Sequence, residues 1–428
     1  MKNKNINLKN WSGTLSVMGI DWGDSGKGRL IDDLASRADI VARYNGGANT
    51  GHTVENNLGK FAFHIIPSGI LHKKAKNLIG RNVVVDLESL NSELENLKKS
   101  KFTVKNLIID SQATLVMPWH KMRDGIREKL RSSKKVGTTG MGVGPAYADR
   151  IERVGLRVCD LLLPDFKNKL SQEVEIQNRF YNLNLNNKKI LSQYLQYAKT
   201  IKAFVGNTVQ IVKDAKNENK NILFEGAQGY FLDVDSGTYP YVTSSSTGIV
   251  GIHRSYDLHP SNIDMVIGIT KAYTTRVGGG PMPTKMAKKE SEYIVEKGHE
   301  VGTTTGRIRS PGWLDLVLIN FAKESNNLTA LAVTKLDVLS GLKKIKLCIK
   351  YKLGTKTVEY FPNNATFQES LSPIYIEMTG WNEDISAVRN FKDLPNNAKL
   401  YLSAIEKYTQ LPIKFISVGP KRGQVIYV

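Results

Sequence analysis

The chain has 428 residues, 41% of them hydrophobic and 23% charged, with a formal net charge of +20. That balance is ordinary for a globular protein with a large core. It excludes a low-complexity chain, and with no apolar run near the roughly 18 residues of a membrane span and a polar start (MKNKNINLKN), a cytoplasmic location is expected.

The positive charge invites a nucleic-acid reading, but the lysines lie in scattered short groups, such as Lys98, Lys99 and Lys101 or Lys343, Lys344 and Lys346, with no interleaved aromatic or RGG pattern. A solvated basic surface, which would also draw in anionic substrates, is the simpler account. The two cysteines, Cys159 and Cys348, have no metal or redox spacing and read as reduced thiols. Residues 1–14 are expected to form a basic, disordered tail, and 15–428 a single domain.

The first predicted strand is the apolar run Leu15 to Ile20, followed by Asp21-Trp22-Gly23-Asp24-Ser25-Gly26-Lys27-Gly28-Arg29 and a helix to about Ala38. Glycines at 23, 26 and 28 let amide hydrogens approach a ligand, the helix start adds its positive dipole, and Lys27 adds a charge, so a phosphate fits. A tight strand-to-helix turn is the bland alternative. The loop lacks the Walker A hydroxyl, because Gly28 follows Lys27, and it carries Asp24, whose carboxylate would repel phosphate unless it holds a cation or takes a proton.

A second strand, Asp39 to Tyr44, runs into Asn45-Gly46-Gly47-Ala48-Asn49-Thr50-Gly51-His52-Thr53. Two glycine-rich turns at the ends of early strands suit the ligand-binding edge of an α/β sheet, and His52 in such a turn is expected to face a ligand. Strands are expected at Phe61 to Ile66, Asn77 to Ile79 and Asn106 to Asp110, and a basic helix from about Trp119 to Ser133. The loop 137–145 holds four glycines and two threonines. Arg150, Arg153 and Arg157 follow at spacings that could share one helical face, as surface charge or for phosphate recognition.

Residues 160–220 read as helical scaffold, and the strand Ile222 to Phe224 delivers Glu225-Gly226-Ala227-Gln228-Gly229. A long polar loop, 233–247, and a strand, Met265 to Ile269, come next. In Gly302-Thr303-Thr304-Thr305-Gly306-Arg307-Ile308-Arg309, threonines and two arginines suit a carboxylate or phosphate ligand as well as a plain charged loop; Ser310 and Pro311 then look like the cap and first turn of a helix. The strand Leu328 to Val333 ends in Thr334-Lys335-Leu336-Asp337, a turn similar to guanine readers of the [N/T]KxD type. Phe415 to Pro420 is a last strand-to-turn junction.

In this order, WGDSGKG (22–28), NGGANTGHT (45–53), HIIPSGIL (64–71), GTTGMGVGPAYADR (137–150), FEGAQG (224–229), GTYPYVTSS (237–245), KAYTTRVGGGP (271–281), TTTGRIR (303–309), GWLD (312–315) and TKLDVL (334–339) resemble the adenylosuccinate synthetase family over nearly the whole chain. The resemblance implies an α/β fold with a large, mostly parallel central sheet, flanking helices and smaller lobes. It implies GTP-dependent ligation of L-aspartate to IMP through a 6-phosphoryl intermediate, giving adenylosuccinate, GDP and phosphate.

It also assigns roles. Asp24 takes the N1 proton of IMP; His52, Lys27 and Gln228 complete the catalytic set; Asp24 and the Gly51 carbonyl hold Mg2+. IMP falls to Asp24, Ser25, Gly26, Lys27, Asn49, Thr50, Gly51, His52, Thr139, Gln228, Thr243 and Arg307, with Arg153 contributed across a homodimer interface. Aspartate is assigned to Thr303, Thr304, Thr305, Gly306, Arg307, Ile308 and Arg309. GTP is assigned to Gly23 through Arg29, to Gly51, His52 and Thr53, to Arg309, Lys335, Leu336 and Asp337, and to Ser417, Val418 and Gly419.

The chain departs from the family's usual Gln-Trp-Gly-Asp-Glu-Gly-Lys-Gly at Asp21 and Ser25, and carries Ala48, Met141 and Ile308 where basic residues are common. A phage-type branch acting on dGMP and a non-enzymatic GTP switch are the competing readings. Asp24 argues against the first, and His52 and the 303–309 loop against the second.

Overall fold

The computed structural model describes residues 7–56, 59–132, 136–302, 306–362 and 365–428. Its contacts divide it into two compact units, one built from residues up to Leu30, Gln228–Val242 and Ile263–Val428, the other from Ile31–Ala227 and Thr243–Asn262.

In the first unit, Thr14–Gly19, Met265–Lys271, Ala330–Thr334 and Ile413–Ser417 pair in parallel in that order, and Val425–Tyr427 closes the edge antiparallel to Ile413–Ser417. All residues of the first three strands are buried, which is why they read as unbroken apolar runs: a parallel sheet is covered on both faces. Lys271 is the exception in chemistry, a charged side chain at the carboxyl end of a wholly buried strand. A separate, mostly antiparallel sheet, centred on Lys344–Leu353 and Leu371–Thr379, belongs to the same unit.

In the second unit, Ile222–Gly229 pairs with Ile40–Arg43 over Ile222 to Glu225, followed in parallel by Lys76–Ile79, Leu107–Asp110 and Val205–Gly206. The helices Leu87–Lys99, Phe166–Tyr181 and Asn187–Ile201 supply apolar faces to its core, as the helical spacing of 160–220 leads one to expect. Each unit is thus α/β with mostly parallel sheet and flanking helices, the expected class.

Three local expectations are corrected. Part of the segment expected as tail is structured: Leu8–Asn10 forms a 3-10 turn, Leu8 and Trp11 are buried, and the first strand starts at Thr14, while residues 1–6 lie outside the described ones. Ser310 and Pro311 do not open a helix. Ser310–Gly312 pairs antiparallel with Thr274–Arg276, and the helix Leu316–Asn326 starts after Asp315, whose Oδ1 accepts from the amides of Val317 (3.1 Å) and Leu318 (3.3 Å). A proline is as much at home on a short edge strand as in a first helical turn, and aspartate caps as well as serine does.

Arg150, Arg153 and Arg157 do not share a helical face. The helix Val143–Glu152 contains only Arg150; Arg153 is its left-handed cap at φ 71°, and Arg157 precedes the next short helix, Val158–Leu161.

Candidate active site

In the first unit the loop after Thr14–Gly19 is held from within. Asp21 Oδ1 accepts from the amide of Gly23 (2.9 Å) and the hydroxyl of Ser25 (2.7 Å), and the helix Lys27–Ala35 begins immediately afterwards. Gly23 and Gly26 take φ of 92° and 81°, open to glycine at no steric cost. The Lys27 ammonium donates to the Gln228 carbonyl, and Gly19 allows this: a Cβ there would come within 2.6 Å of the same carbonyl oxygen.

Asp24, Gln228 and Lys335 are all non-glycine residues in left-handed backbone, at φ 57°, 64° and 57°. Such conformations are sparsely populated and persist where surrounding structure holds them. The Asp24 side chain keeps 36% exposure, and its Oδ2 accepts from Arg309 Nε at 2.6 Å. Burial pushes its pKa up, but the charges of Arg309, Lys271 and Lys27 outweigh that and hold the carboxyl below its usual range.

Behind Arg309 stands a carboxylate that sequence reading passed over. Glu300 is fully buried and accepts from Arg309 Nη1 (2.8 Å), Lys335 Nζ (2.7 Å), Lys271 Nζ (2.9 and 3.0 Å) and the Tyr273 hydroxyl. Burial alone would raise its pKa; Lys271 and Lys335 instead drive it well below the glutamate range. Lys271, desolvated, is pushed down to about 8 against the attraction of Glu300. A lysine ending a mostly apolar strand was the available signal for this cluster.

The turn 334–337 is anchored beside it. Thr334 Oγ1 donates to the Ser25 carbonyl (2.8 Å), and Lys335 also donates to the Gly298 carbonyl (2.8 Å). Asp337 sits in the 3-10 turn Leu336–Leu339; burial raises its pKa, and its buried Oδ1 has no hydrogen-bond partner among the described residues. Arg29 donates to the Gly419 carbonyl, which brings the Ser417–Gly419 segment to the glycine-loop helix.

Of the segment assigned to aspartate, Thr303, Thr304 and Thr305 lie outside the described residues. Around it, Gly302 donates to the Arg307 carbonyl (2.8 Å), Arg309 to the Glu300 carbonyl (2.9 Å), and Val301 bridges Ile308. Arg307 is half-buried, and Ile308 is 68% exposed.

The second unit gathers His52, at the start of the strand His52–Asn56, against Glu225. His52 Nδ1 bonds Glu225 Oε1; Ser68 donates its hydroxyl to the same oxygen (2.7 Å) and its amide to Oε2 (2.9 Å). Burial raises the Glu225 pKa, but these hydrogen bonds and the charges of His52 and Arg43 bring it below its ordinary value. With an ionised acceptor there, Nδ1 carries the proton.

Arg43, buried and aligned with Glu225 on neighbouring strands, donates to the Gly47 carbonyl (2.8 Å), the Thr50 hydroxyl (2.8 Å) and the His64 carbonyl, so one guanidinium shapes the turn before His52. Asn45 Oδ1 accepts from the amide of Ala227 (2.9 Å). Asn49 donates to Thr243 (3.3 Å), and its buried Oδ1 has no partner among the described residues. Thr139 is half-buried, and Arg153 is exposed.

A family model described as adenylosuccinate synthetase matches residues 16–426. The chain belongs to the adenylosuccinate synthetase family. An adenylosuccinate synthetase of Clostridium botulinum (strain Alaska E43 / Type E3) is 46% identical over 420 residues, 96% of this chain and 98% of that protein. One from Thermoanaerobacter sp. (strain X514) is 45% identical over 419 residues, with the same shares.

Among solved structures, fully ligated adenylosuccinate synthetase from Plasmodium falciparum matches with a TM-score of 0.93 at 37% identity, covering 97% of this chain and 100% of that one. The cyanophage S-2L succinoaminodeoxyadenylate synthetase bound to dGMP and dATP matches at TM-score 0.61 and 16% identity, covering 98% and 96%, a likeness of fold. Asp21 and Ser25, two of the positions named above as departures from the usual pattern, are bonded to each other. Ala48 is buried, and Met141 packs half-buried against apolar neighbours.

Proposed function

We propose that the protein ligates L-aspartate to IMP at the expense of GTP, in purine nucleotide synthesis, with residues 15–428 working as one synthetase domain and the assignments made above. The observation that carries the reading is an acid in a phosphate loop: Asp24, reachable by solvent, among Arg309, Lys271 and Lys27.

In the first step Asp24 accepts the N1 proton of IMP, which concentrates charge on O6; O6 attacks the γ-phosphorus of GTP and GDP leaves. A carboxylate held below its usual pKa is a weak base, so the proton moves as Arg309 turns its charge from Asp24 to the incoming anion. His52, oriented by Glu225, presents Nε2 to the transferring phosphoryl group, and Lys27 adds charge there. In the second step the aspartate amine attacks C6, phosphate leaves with the O6 oxygen, and the amine loses a proton. Asn49, Thr243 and Gln228 hold IMP, and Asp337 accepts from the N1 and amino hydrogens of guanine.

The donors proposed for magnesium are hard oxygens, the Asp24 carboxylate and the Gly51 carbonyl, and the described residues gather no cluster of three or more His, Cys, Asp or Glu side chains. This suits an ion that takes most of its shell from phosphate and water, and when bound it neutralises phosphate charge. A homodimer with Arg153 reaching the partner's IMP is supported by that residue's exposed left-handed cap between exposed Ile151 and Val154. No helix among the described residues is long and apolar enough to cross a membrane, and a cytoplasmic location is part of the proposal.

The test is a coupled assay with IMP, aspartate, GTP and magnesium, repeated with dGMP for IMP and ATP for GTP. Turnover confined to IMP with GTP is expected. Activity on dGMP with none on IMP would overturn the substrate assignment.

A further inference from the structure

Glu300 is a buried carboxylate shared by two segments of the proposed substrate sites and by one strand end. Arg309 belongs to the aspartate loop, Lys335 to the guanine-reading turn, and Arg309 in turn grips Asp24 in the phosphate loop. The remaining donors, Lys271 and Tyr273, come from one strand end and the residues just after it.

A carboxylate has about four acceptor sites. Here five contacts from four side chains use them, with no solvent exposure. Such a group cannot turn to follow one donor without loosening the others. Two further bonds stiffen the arrangement: the Arg309 amide donates to the Glu300 carbonyl (2.9 Å), closing the base of the aspartate loop, and Thr334 ties the guanine-reading turn to Ser25 (2.8 Å).

The charges make the same point. Glu300 and Asp24 face Arg309, Lys335 and Lys271, and Lys271 has Glu300 as its only ion-pair partner among the described residues. When a nucleotide draws Lys335 or its turn toward the base, the attraction on Glu300 shifts, and Arg309, bonded to the opposite oxygen, feels it directly.

We infer that Glu300 is a positioning residue that couples GTP binding at the 334–337 turn to aspartate binding at Arg309. The inference rests on the proposed ligand assignments and adds to them a route by which one substrate raises the affinity for another. It requires no second conformation of the fold, only a shared anion with no spare hydrogen-bonding capacity.

The experiment is an initial-rate grid of GTP against aspartate at saturating IMP and magnesium, with the wild type, Glu300→Gln and Tyr273→Phe. In the wild type, saturating GTP is expected to lower the apparent aspartate KM by about tenfold, within the usual range of coupling between sites. In Glu300→Gln that factor is expected to fall to about one to two while kcat changes by less than about threefold. A merely structural role would lower kcat and Tm and leave the factor intact.

Glu300→Gln strands a buried lysine, but Lys271 can shed its proton near neutral pH, which leaves a route to folding. If it does not fold, Tyr273→Phe removes one neutral donor, keeps every charge, and is expected to reduce the factor by about half. A wild type without GTP–aspartate coupling, or a soluble variant that keeps the full factor, overturns the inference while leaving the synthetase reading intact. A wild type that makes no adenylosuccinate overturns both.

Discussion

Arg309 and Asp24, separated by 285 residues of chain, are bonded directly: the guanidinium Nε lies 2.6 Å from Oδ2. The acid proposed to accept the substrate proton is therefore held charged by the arginine proposed to meet substrate anions.

Asp24→Asn is expected to lower kcat by at least about 10³-fold, the scale of a lost general base, out of proportion to any weakening of GTP binding through the lost magnesium ligand. Stopped assays combined with calorimetric titration of GTP separate the two effects. Retained turnover would remove Asp24 from the chemistry.

Glu225 holds His52 by its Nδ1 and is itself held by Ser68. Glu225→Gln keeps the size of the side chain but replaces an ionised acceptor, so the imidazole loses both its fixed tautomer and its counter-charge. A fall in kcat of about 10- to 100-fold with little change in the IMP KM is expected. An unaltered kcat would mean that His52 needs no such support.

Asp337 Oδ1 is buried without a partner among the described residues, an arrangement costly unless a ligand donates to it. Asp337→Asn replaces an acceptor with a group that can donate to the 2-oxo group of xanthine. The KM for GTP is expected to rise about 10- to 100-fold and xanthosine triphosphate to become the better phosphoryl donor. Equal loss with both nucleotides would place the base elsewhere.

Acid stability follows from Glu300 and Glu225, both held below the ordinary glutamate pKa in the folded chain. A depressed carboxylate contributes stability above its unfolded pKa and loses it as pH falls toward the folded one, because the unfolded chain takes up protons first. Denaturant midpoints are expected to decline from about pH 5 downward in the wild type, and less steeply in Glu225→Gln. A midpoint that rises on acidification contradicts these directions.

If Arg153 serves the partner's site, Arg153→Ala and Asp24→Asn should each be nearly inactive alone. Mixing them and allowing subunits to exchange restores one intact site per mixed dimer. Recovered activity of about a quarter of the wild type in an equimolar mixture is expected; none would place Arg153 in its own subunit's site or outside it.

The glycine loop, the His52 turn and the 334–337 turn were legible because their chemistry is local: positive φ, a missing hydroxyl after Lys27, and polar residues at strand ends all appear within a few consecutive positions. The arginine trio and the Ser310-Pro311 pair misled for the same reason, since spacing and cap preference describe a segment alone. Pairing with Thr274–Arg276 took Ser310–Gly312 into a strand.

By itself the amino-acid order determined the family, the α/β class and the residues that line the loops, since these rest on short motifs and on the apolar runs that buried parallel strands require. Only the tertiary structure decided which charges are neutralised by which: Glu300 with Lys271, Lys335 and Arg309, Glu225 with His52, and Arg43 with the turn it shapes. A buried charge is tolerable only where opposite charge and donors converge on it, and that convergence is made by segments far apart in the chain.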